Sequence, residues 1–269
     1  MPQFVRAGIR FHFQERGAGA PFIFQHGLGG DTHQIADLYM SPPGIRLITL
    51  DCRAHGATRP LGDTSMLRFD ALADDVVALL DHLDLDEAVI GGISMGAGLA
   101  LNLALRYPQR VRALVLSRPA WLDHPLPPNL LVYSAIAWHL RTLGAEEGRR
   151  RFAASGAYAQ VQAEAPDAAA SLLGQFAQAH ARARVARLER IPLDSPCTDL
   201  TACATVGAPA LILATRQDPI HPFHFGEKLA GALPSARLAE VTSKSLDRER
   251  HRREVQAAID AFLAQVSPT

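Results

Sequence analysis

The sequence has few cysteines and no excess of charge of either sign. Only three of its 269 residues are cysteines, and their spacing matches neither a disulfide framework nor a zinc site. We therefore expect free thiols in a reducing compartment. Lys and Arg together number 27, as do Asp and Glu, which argues against a nucleic acid or an anionic membrane as the main partner. The expected partner is a small molecule, and the sequence predicts no oligomeric state.

Long apolar runs are also absent. No segment approaches the roughly 18 uninterrupted apolar residues that a membrane-spanning helix needs, and the first residues lack the apolar centre of a signal peptide. These features predict a cytoplasmic protein without a membrane partner. A hydrophobic content of 48% nevertheless provides for a well-buried core.

Short apolar runs recur along the chain and alternate with segments that have helical periodicity. Residues 66–83 have one apolar and one acidic face, residues 95–106 form an apolar helical pattern, and the last such segment covers residues 253–266, in a helix expected to begin near residue 247. The alternation predicts parallel strands wound with helices. The strand-like runs are "FIFQ", "IRLITLD", "AVIGGIS", "RALVLS" and "PALILAT".

Roughly 80 residues between the last two of these runs break the alternation. They are rich in alanine and arginine, contain helix-like but no strand-like stretches, and have proline-rich segments near both ends. We therefore predict a helical cap at residues 121–204, inserted into a core domain formed by residues 1–120 and 205–269.

A candidate nucleophile lies in "GGISMGAG", where Ser94 follows a predicted strand and precedes a predicted helix. A tight strand-to-helix turn exposes a serine hydroxyl at the helix N-terminus, and the neighbouring glycines relieve the backbone clashes of such a turn. The helix dipole there stabilises developing negative charge. This context favours a catalytic serine over a helix-capping one.

A serine nucleophile of this kind needs an oxyanion hole. The glycine-rich loop "HGLGG" follows an early strand and can turn a backbone amide toward the serine. We predict the amides of Leu28 and Met95 as the two donors. His26, in the same loop, is expected to orient the turn rather than to act as a base.

With these motifs the chain resembles the α/β-hydrolase superfamily along nearly its whole length. The matching blocks are "HGLGG", "DCRAHG", "GGISMG" and "PALILATRQDPIHP", in that order. In the second block Ala54 replaces a glycine of the family pattern Asp-x-Arg-Gly-His-Gly. The resemblance implies an α/β fold with an eight-stranded, mostly parallel, doubly wound sheet and an inserted α-helical cap after strand six.

The resemblance also implies a catalytic acid after the run "LILAT", where Asp218 occupies the matching position. In the family the histidine follows the last strand, which places it near residues 244–246. Those positions hold Lys244, Ser245 and Leu246. His251 is the nearest histidine beyond them, and it shares a helical face with Val255, Ile259 and Phe262.

We predict His251 as the base of a Ser94, Asp218 and His251 triad. Three alternatives stay open: His221 as the base, Lys244 as a base with a lowered pKa, or no efficient serine–base pair at all.

The leading functional hypothesis is a serine hydrolase that cleaves a carboxylic ester or lactone without a metal or an organic cofactor. A non-hydrolytic ligand-binding protein and an enzyme that cleaves a carbon–carbon bond are the alternatives. Trp121, Arg118 and His221 are the candidate substrate-binding residues, and Arg118 or His124 could meet a polar or anionic group.

Overall fold

An eight-stranded sheet runs through the computed structural model, which describes residues 2–267. The strand order is β1-β2-β4-β3-β5-β6-β7-β8. The pairs β1–β2 and β2–β4 are antiparallel, and all other neighbours are parallel. The prediction of an eight-stranded, mostly parallel sheet is therefore confirmed. The strands are β1 (Gln3–Arg6), β2 (Ile9–Arg16), β3 (Gly19–Gln25), β4 (Gly44–Leu50), β5 (Ala88–Ile93), β6 (Val111–Ser117), β7 (Ala210–Ala214) and β8 (Ala236–Glu240).

Helices cover both faces of this sheet and bury its apolar side chains. Residues of α1 and α9 pack with one face, and residues of α2, α3 and α8 pack with the other. Strand β5 is buried along its whole length, as expected for a central strand covered on both sides. The α-helices of the described chain are α1 (Thr32–Leu38), α2 (Phe69–His82), α3 (Met95–Arg106), α4 (Leu131–Ala153), α5 (Gly156–Glu164), α6 (Pro166–Ala177), α7 (Ala186–Arg190), α8 (Phe223–Ala232) and α9 (Arg248–Val266).

Two of the predicted helices have the expected bounds. Helix α3 covers residues 95–106, and α9 begins directly after Asp247, whose side chain caps it by accepting from the amide of Arg250. Helix α2 begins later than the periodicity suggested because Thr64–Met66 form a separate 3-10 turn before it. None of the helices in residues 2–267 is long and apolar enough to cross a membrane.

A helical segment separates β6 from β7. It contains α4 to α7 and no strand between residues 118 and 209, all of which are described, in agreement with the sequence pattern. Helix α4 contains a break at Gly144, whose backbone has a φ of 80°. The division into a core domain and a cap at residues 121–204 stays a prediction. We call residues 121–204 the helical insertion.

The parallel strands point their carboxyl ends toward one edge of the sheet. Leu28 follows β3, Ser94 follows β5, Arg118 follows β6, Asp218 follows β7 and Lys244 follows β8. Ligand sites of open parallel sheets lie at this edge. The topology therefore brings together residues that are far apart in sequence.

Ala54 lies in a backbone conformation that favours glycine. Its φ is 64°, in the left-handed region, and its side chain is buried beside the loop that follows β4. A Cβ atom in this region costs about 1–2 kcal/mol. The departure from the family pattern at this position therefore places strain in the loop.

We expect Ala54→Gly to raise the free energy of unfolding by roughly 0.5–1 kcal/mol, because relief of the strain exceeds the added chain entropy of glycine. Ala57→Gly is the matched control, since Ala57 is exposed and is not among the positive-φ residues. That variant should be less stable than the wild type. Urea unfolding of the three proteins measures both effects, and an Ala54→Gly protein less stable than the wild type would contradict the strain.

Candidate active site

Ser94 occupies the sharp turn between β5 and α3. Its φ of 57° and ψ of −108° lie outside the helical and extended regions, and it is the N-cap residue of α3. Gly92 and Gly96 approach closely here: a Cβ on Gly92 would lie 2.6 Å from the Cα of Gly96, and one on Gly96 would lie 2.4 Å from the carbonyl oxygen of Gln25. Only glycine fits these two positions, so strand, turn and helix hold Ser94 in one place.

A cavity of about 350 Å³ opens beside Ser94. Its wall combines the loops that follow β3, β6, β7 and β8 with residues of α4 and α6 from the helical insertion. Sequence-predicted site residues in this wall are Ser94, Leu28, Arg118, Asp218 and His221, and Lys244 lies there as well. The volume suits a small organic molecule.

The two predicted oxyanion donors have free amides. Among the hydrogen bonds of residues 2–267, none uses the backbone N–H of Leu28 or of Met95. Met95 is the first residue of α3, where the helix leaves its N–H groups without intrahelical acceptors. Leu28 lines the cavity directly. Both amides therefore have the hydrogen-bonding capacity that the prediction requires, and their role stays a prediction.

Side chains of the helical insertion hold the loop that carries Leu28. The Leu28 carbonyl oxygen lies 3.4 Å from Nε of Arg187 and 3.0 Å from Nε2 of His55. The next carbonyl, of Gly29, accepts a hydrogen bond from Nε2 of Gln178 at 2.6 Å. These contacts fix the direction of the peptide groups around Leu28.

Arg187 is a buried cation in this arrangement. It is 1% exposed, and among the described residues its guanidinium bonds to carbonyl and amide oxygens but to no carboxylate. Burial, helped by the charge of Arg184, lowers the pKa of Arg187 to about 10. It is therefore charged at neutral pH and adds positive potential next to the Leu28 loop.

His26 has the bonds of an orienting residue. Its Nδ1 lies 2.8 Å from the carbonyl oxygen of Gly27, and its Nε2 accepts from the amide of Cys52 at 3.1 Å. Burial lowers the pKa of His26, so the ring is neutral and both nitrogens are used. This geometry matches the role expected from the sequence.

Asp218 is held by its own loop and by two basic side chains. Its Oδ1 accepts from the backbone amides of Ile220 and His221, at 3.1 and 3.2 Å. Its Oδ2 lies 2.8 Å from Nδ1 of His221 and 3.4 Å from Nη1 of Arg118. The structure therefore pairs Asp218 with His221.

The protonation states follow from this pairing. Burial alone would raise the pKa of Asp218, but His221, its backbone amide and Arg118 together hold that pKa below its usual range. Burial lowers the pKa of His221 despite the neighbouring carboxylate. We assign an ionised Asp218 and a neutral His221 whose Nδ1–H donates to it. No described residue bonds to His221 Nε2, the nitrogen that remains to accept a proton.

His251 has a different environment from the one expected. It packs on the buried face of α9 with Val255 and Ile259, as predicted, but it is 1% exposed and is not part of the cavity wall. Its Nδ1 lies 2.7 Å from the carbonyl oxygen of Thr242 rather than against Asp218, and its Nε2 has no hydrogen-bond partner among the described residues. The predicted Asp218–His251 contact is therefore not formed. The reason is that the Thr242 carbonyl, directly after β8, holds Nδ1 of His251, while Asp218 is already engaged by His221.

Trp121 also departs from its expected place. It is 1% exposed, packs edge-to-face against Phe69 with ring centroids 5.4 Å apart, and is not part of the cavity wall. The chain turns inward after β6, so residues 119–122 are all buried. Trp121 is a core residue rather than a substrate-binding one. His124 is exposed and pairs with Asp123 outside the cavity.

The residues that sequence reasoning missed come from the helical insertion. Tyr133, Gln175 and Gln178 line the cavity, and Arg187 supports the Leu28 loop. Spacing gave no signal for them, because the orientation of an inserted helix relative to the sheet is not encoded in its own periodicity. Arg187 lies in an arginine-rich stretch, where nothing in the sequence distinguishes the one buried at the Leu28 loop from its neighbours.

The sheet order, the serine turn and the cavity at the carboxyl edge define a protein of the α/β-hydrolase type. The family model described as alpha/beta hydrolase fold matches residues 20–244. The chain therefore belongs to this family. The matched range includes Ser94, Asp218 and His221 and ends before His251.

Individual relatives agree with this assignment. The chain is 34% identical over 132 residues to 2-hydroxymuconate semialdehyde hydrolase of Pseudomonas sp. (strain CF600), a match that covers 48% of this chain and 46% of the relative. It thus spans less than half of that relative's length. Among solved structures, a thermophilic esterase from Thermogutta terrifontis superposes with a TM-score of 0.74 at 20% identity, covering 99% of this chain and 97% of that one. The enol-lactonase from Burkholderia xenovorans LB400 gives 0.71 at 20% identity, with 98% of each chain covered. At these identities the two structures establish the fold.

Burial, reinforced by the charges of Arg118 and Lys244, lowers the pKa of His251 to about 4. Because the unfolded chain binds a proton on this residue near its ordinary pKa of about 6.5, acid favours unfolding. We expect His251 to account for a loss of about 2 kcal/mol in the free energy of unfolding between pH 6.5 and 4.5.

Urea unfolding across this pH range tests the assignment. His251→Leu should flatten the pH dependence by that amount, whereas His224→Gln, at an exposed histidine of α8, should keep the wild-type slope. An unchanged slope in His251→Leu would show that His251 is protonated equally in both states.

Proposed function

We propose that this protein is a serine hydrolase that cleaves a carboxylic ester or lactone, with Ser94 as nucleophile, His221 as general base and Asp218 as the residue that orients His221. The observation that supports it is the 2.8 Å contact between Asp218 Oδ2 and His221 Nδ1 in the wall of the cavity that Ser94 lines. Within residues 2–267, no hydrogen bond uses the other ring nitrogen of His221. This is the hydrogen-bonding pattern of a catalytic histidine.

In the proposed reaction the Ser94 hydroxyl oxygen attacks the carbonyl carbon while its proton passes to Nε2 of His221. The tetrahedral intermediate collapses, the carbon–oxygen bond to the alcohol breaks, and His221 returns the proton to the leaving oxygen. Water then attacks the acyl-enzyme, giving its proton to His221, and Ser94 recovers a proton as the acid leaves. Each step uses groups of this chain and water.

The amides of Leu28 and Met95 would hold the negative oxygen of the tetrahedral intermediate. Removing one such donor in a well-studied protease costs about 10²–10³ in rate, so their fixed direction matters. The contacts of Arg187 and His55 with the Leu28 carbonyl, and of Gln178 with that of Gly29, support this role by restraining the loop.

The relatives support hydrolysis at the level of the reaction class. Their names describe a semialdehyde hydrolase, an esterase and an enol-lactonase. We extend hydrolase activity to this chain on that basis and choose an ester or lactone because a Ser–His–Asp arrangement performs acyl transfer. The replacement of the family histidine by Lys244 is the observation that favours a non-hydrolytic, ligand-binding role instead.

A fluorophosphonate separates the two possibilities, because only an activated serine reacts quickly. Intact-mass measurement should show rapid single labelling of the wild type, none in Ser94→Ala, and labelling slowed by about 10²-fold or more in His221→Gln. His251→Gln should label at a rate within a few-fold of the wild type. Circular dichroism of each variant checks that it is folded.

Fast labelling of His221→Gln combined with slow labelling of His251→Gln would transfer the role of base to His251. No labelling of the folded wild type would overturn the hydrolase proposal. If Ser94 is labelled but esters and lactones are not hydrolysed, analysis of the products formed from substrates with a cleavable carbon–carbon bond tests the alternative reaction.

The pH dependence of kcat/KM gives an independent test of the base. Neutral His221 is the active form, so activity should rise with pH through the pKa of His221. Because burial lowers that pKa from 6.5, we expect the inflection below 6.5. An inflection near 8 would instead indicate Lys244, whose pKa is lowered to about 8.

A further inference from the structure

Two cationic side chains border the same cavity as Ser94. Arg118 follows β6 and Lys244 follows β8, and both belong to its wall. We propose that Arg118 and Lys244 together bind a carboxylate of the substrate, so that the preferred substrates are esters or lactones that also carry a free carboxylate. This inference rests on the proposed function, since it takes the cavity beside Ser94 as the substrate site.

The Lys244 ammonium has unused hydrogen-bonding capacity. Within residues 2–267 it takes part in no hydrogen bond and lies within 4.0 Å of no carboxylate. Arg118 makes a 3.4 Å contact with Asp218 through Nη1, and its Nε is buried without a partner. Much of the remaining polar wall is uncharged, including Gln34, Gln175 and Gln217. Two cations with spare donors therefore face a mostly neutral surface.

The two carboxylates of the wall equal the two cations in number, but neither forms an ion pair with Lys244. Asp218 is already engaged by His221 and by two backbone amides. Asp167, the other acid of the wall, forms no ion pair with a described residue. A substrate carboxylate beside Arg118 and Lys244 would accept charge-assisted hydrogen bonds from the Lys244 ammonium, which neither wall carboxylate does.

The charges around Lys244 support the same conclusion. The charge of Arg118, followed by burial, lowers the pKa of Lys244 to about 8, and Arg248 adds to this effect. Asp167 and Asp218 oppose it but do not cancel it. The same two cations also lower the pKa of the neighbouring His251. Repulsion between Arg118 and Lys244 is the condition that a bound anion relieves.

The protonation of Lys244 distinguishes this role from that of a base. With a pKa of about 8 the side chain keeps its proton at pH 7 in most molecules. A protonated ammonium binds an anion but cannot accept the proton of Ser94. His221, which is neutral and contacts Asp218, is the group suited to that task.

Direct observation of Lys244 tests the proposal without turnover. The chain has two lysines, Lys228 and Lys244, so reductive methylation with ¹³C-formaldehyde labels few sites and keeps their charge. In Ser94→Ala, butyrate should raise the pKa of the Lys244 resonance by about 1 unit, since an anion a few ångströms away stabilises the ammonium. Butyramide, which has the same shape without the charge, should leave it unchanged.

Lys228 is the internal control, because it is exposed on α8 and lies outside this cavity. An equal shift at Lys228 would show only non-specific ion binding, and no shift at Lys244 would overturn the anion site. The resonance that is missing from the spectrum of Lys244→Met is the one that belongs to Lys244.

Substrate selectivity provides the second measurement. The ratio of kcat/KM for mono-p-nitrophenyl glutarate to that for p-nitrophenyl valerate compares acyl chains of equal length with and without a carboxylate. We expect this ratio to fall at least 10-fold in Lys244→Met and to stay unchanged in Lys228→Met. An unchanged ratio in Lys244→Met would contradict the proposal.

The two measurements separate the two proposals. A butyrate-induced shift at Lys244 together with absent fluorophosphonate labelling would keep the anion site and reject the serine hydrolase. Hydrolysis of both esters with no shift at Lys244 would keep the hydrolase and reject the anion site.

Discussion

The close contact between β5 and α3 is the constraint on which the candidate site depends. Gly92 lies against Gly96, and Gly96 lies against the backbone of β3, so three segments meet with no space for a side chain. This contact accompanies the positive φ of Ser94, 57°, and holds the residue at the carboxyl edge of the sheet. The loops after β3, β6, β7 and β8 reach the same edge because those strands are parallel to β5. Ser94 is therefore held in place at the edge where the loops of the cavity meet.

The loop after β7 contains both members of the acid–base pair that we propose. Asp218 and His221 are three residues apart, and the backbone amides of this loop bind the same carboxylate. In the family the catalytic histidine lies in the loop after β8. In this chain that loop does not need to supply the base. Lys244 occupies it, and together with Arg118 gives the cavity a cationic side. In the proposed arrangement, catalysis and recognition of a carboxylate would use different strand ends.

The helical insertion supplies the other half of the cavity and restrains the loop opposite it. Gln175 lies near the end of α6, Gln178 directly after it, and Arg187 in α7. The two glutamines donate to the carbonyl of Gly29, and Arg187 donates to that of Leu28. A buried cation without a carboxylate partner is costly, and Arg187 is tolerated because several oxygen acceptors surround it. The insertion therefore helps to shape the predicted oxyanion hole as well as to enclose the substrate.

The sequence by itself determined the sheet, the bounds of α3, the start of α9 and the position of the serine turn. These features depend on local signals: apolar periodicity, and glycines at the spacing that a strand-to-helix turn needs. It also indicated the loops that contain Leu28 and Asp218, through motifs of fixed order.

Only the tertiary structure decided which histidine contacts Asp218, because that contact depends on the path of the loop after β7 and on how α9 packs against the sheet. His251 has the chain order and the helical face of a base, but it is buried outside the cavity wall, with Nδ1 against the Thr242 carbonyl. The burial of Trp121 and the approach of Arg187 to Leu28 were likewise set by packing between distant segments, which no spacing along the chain records.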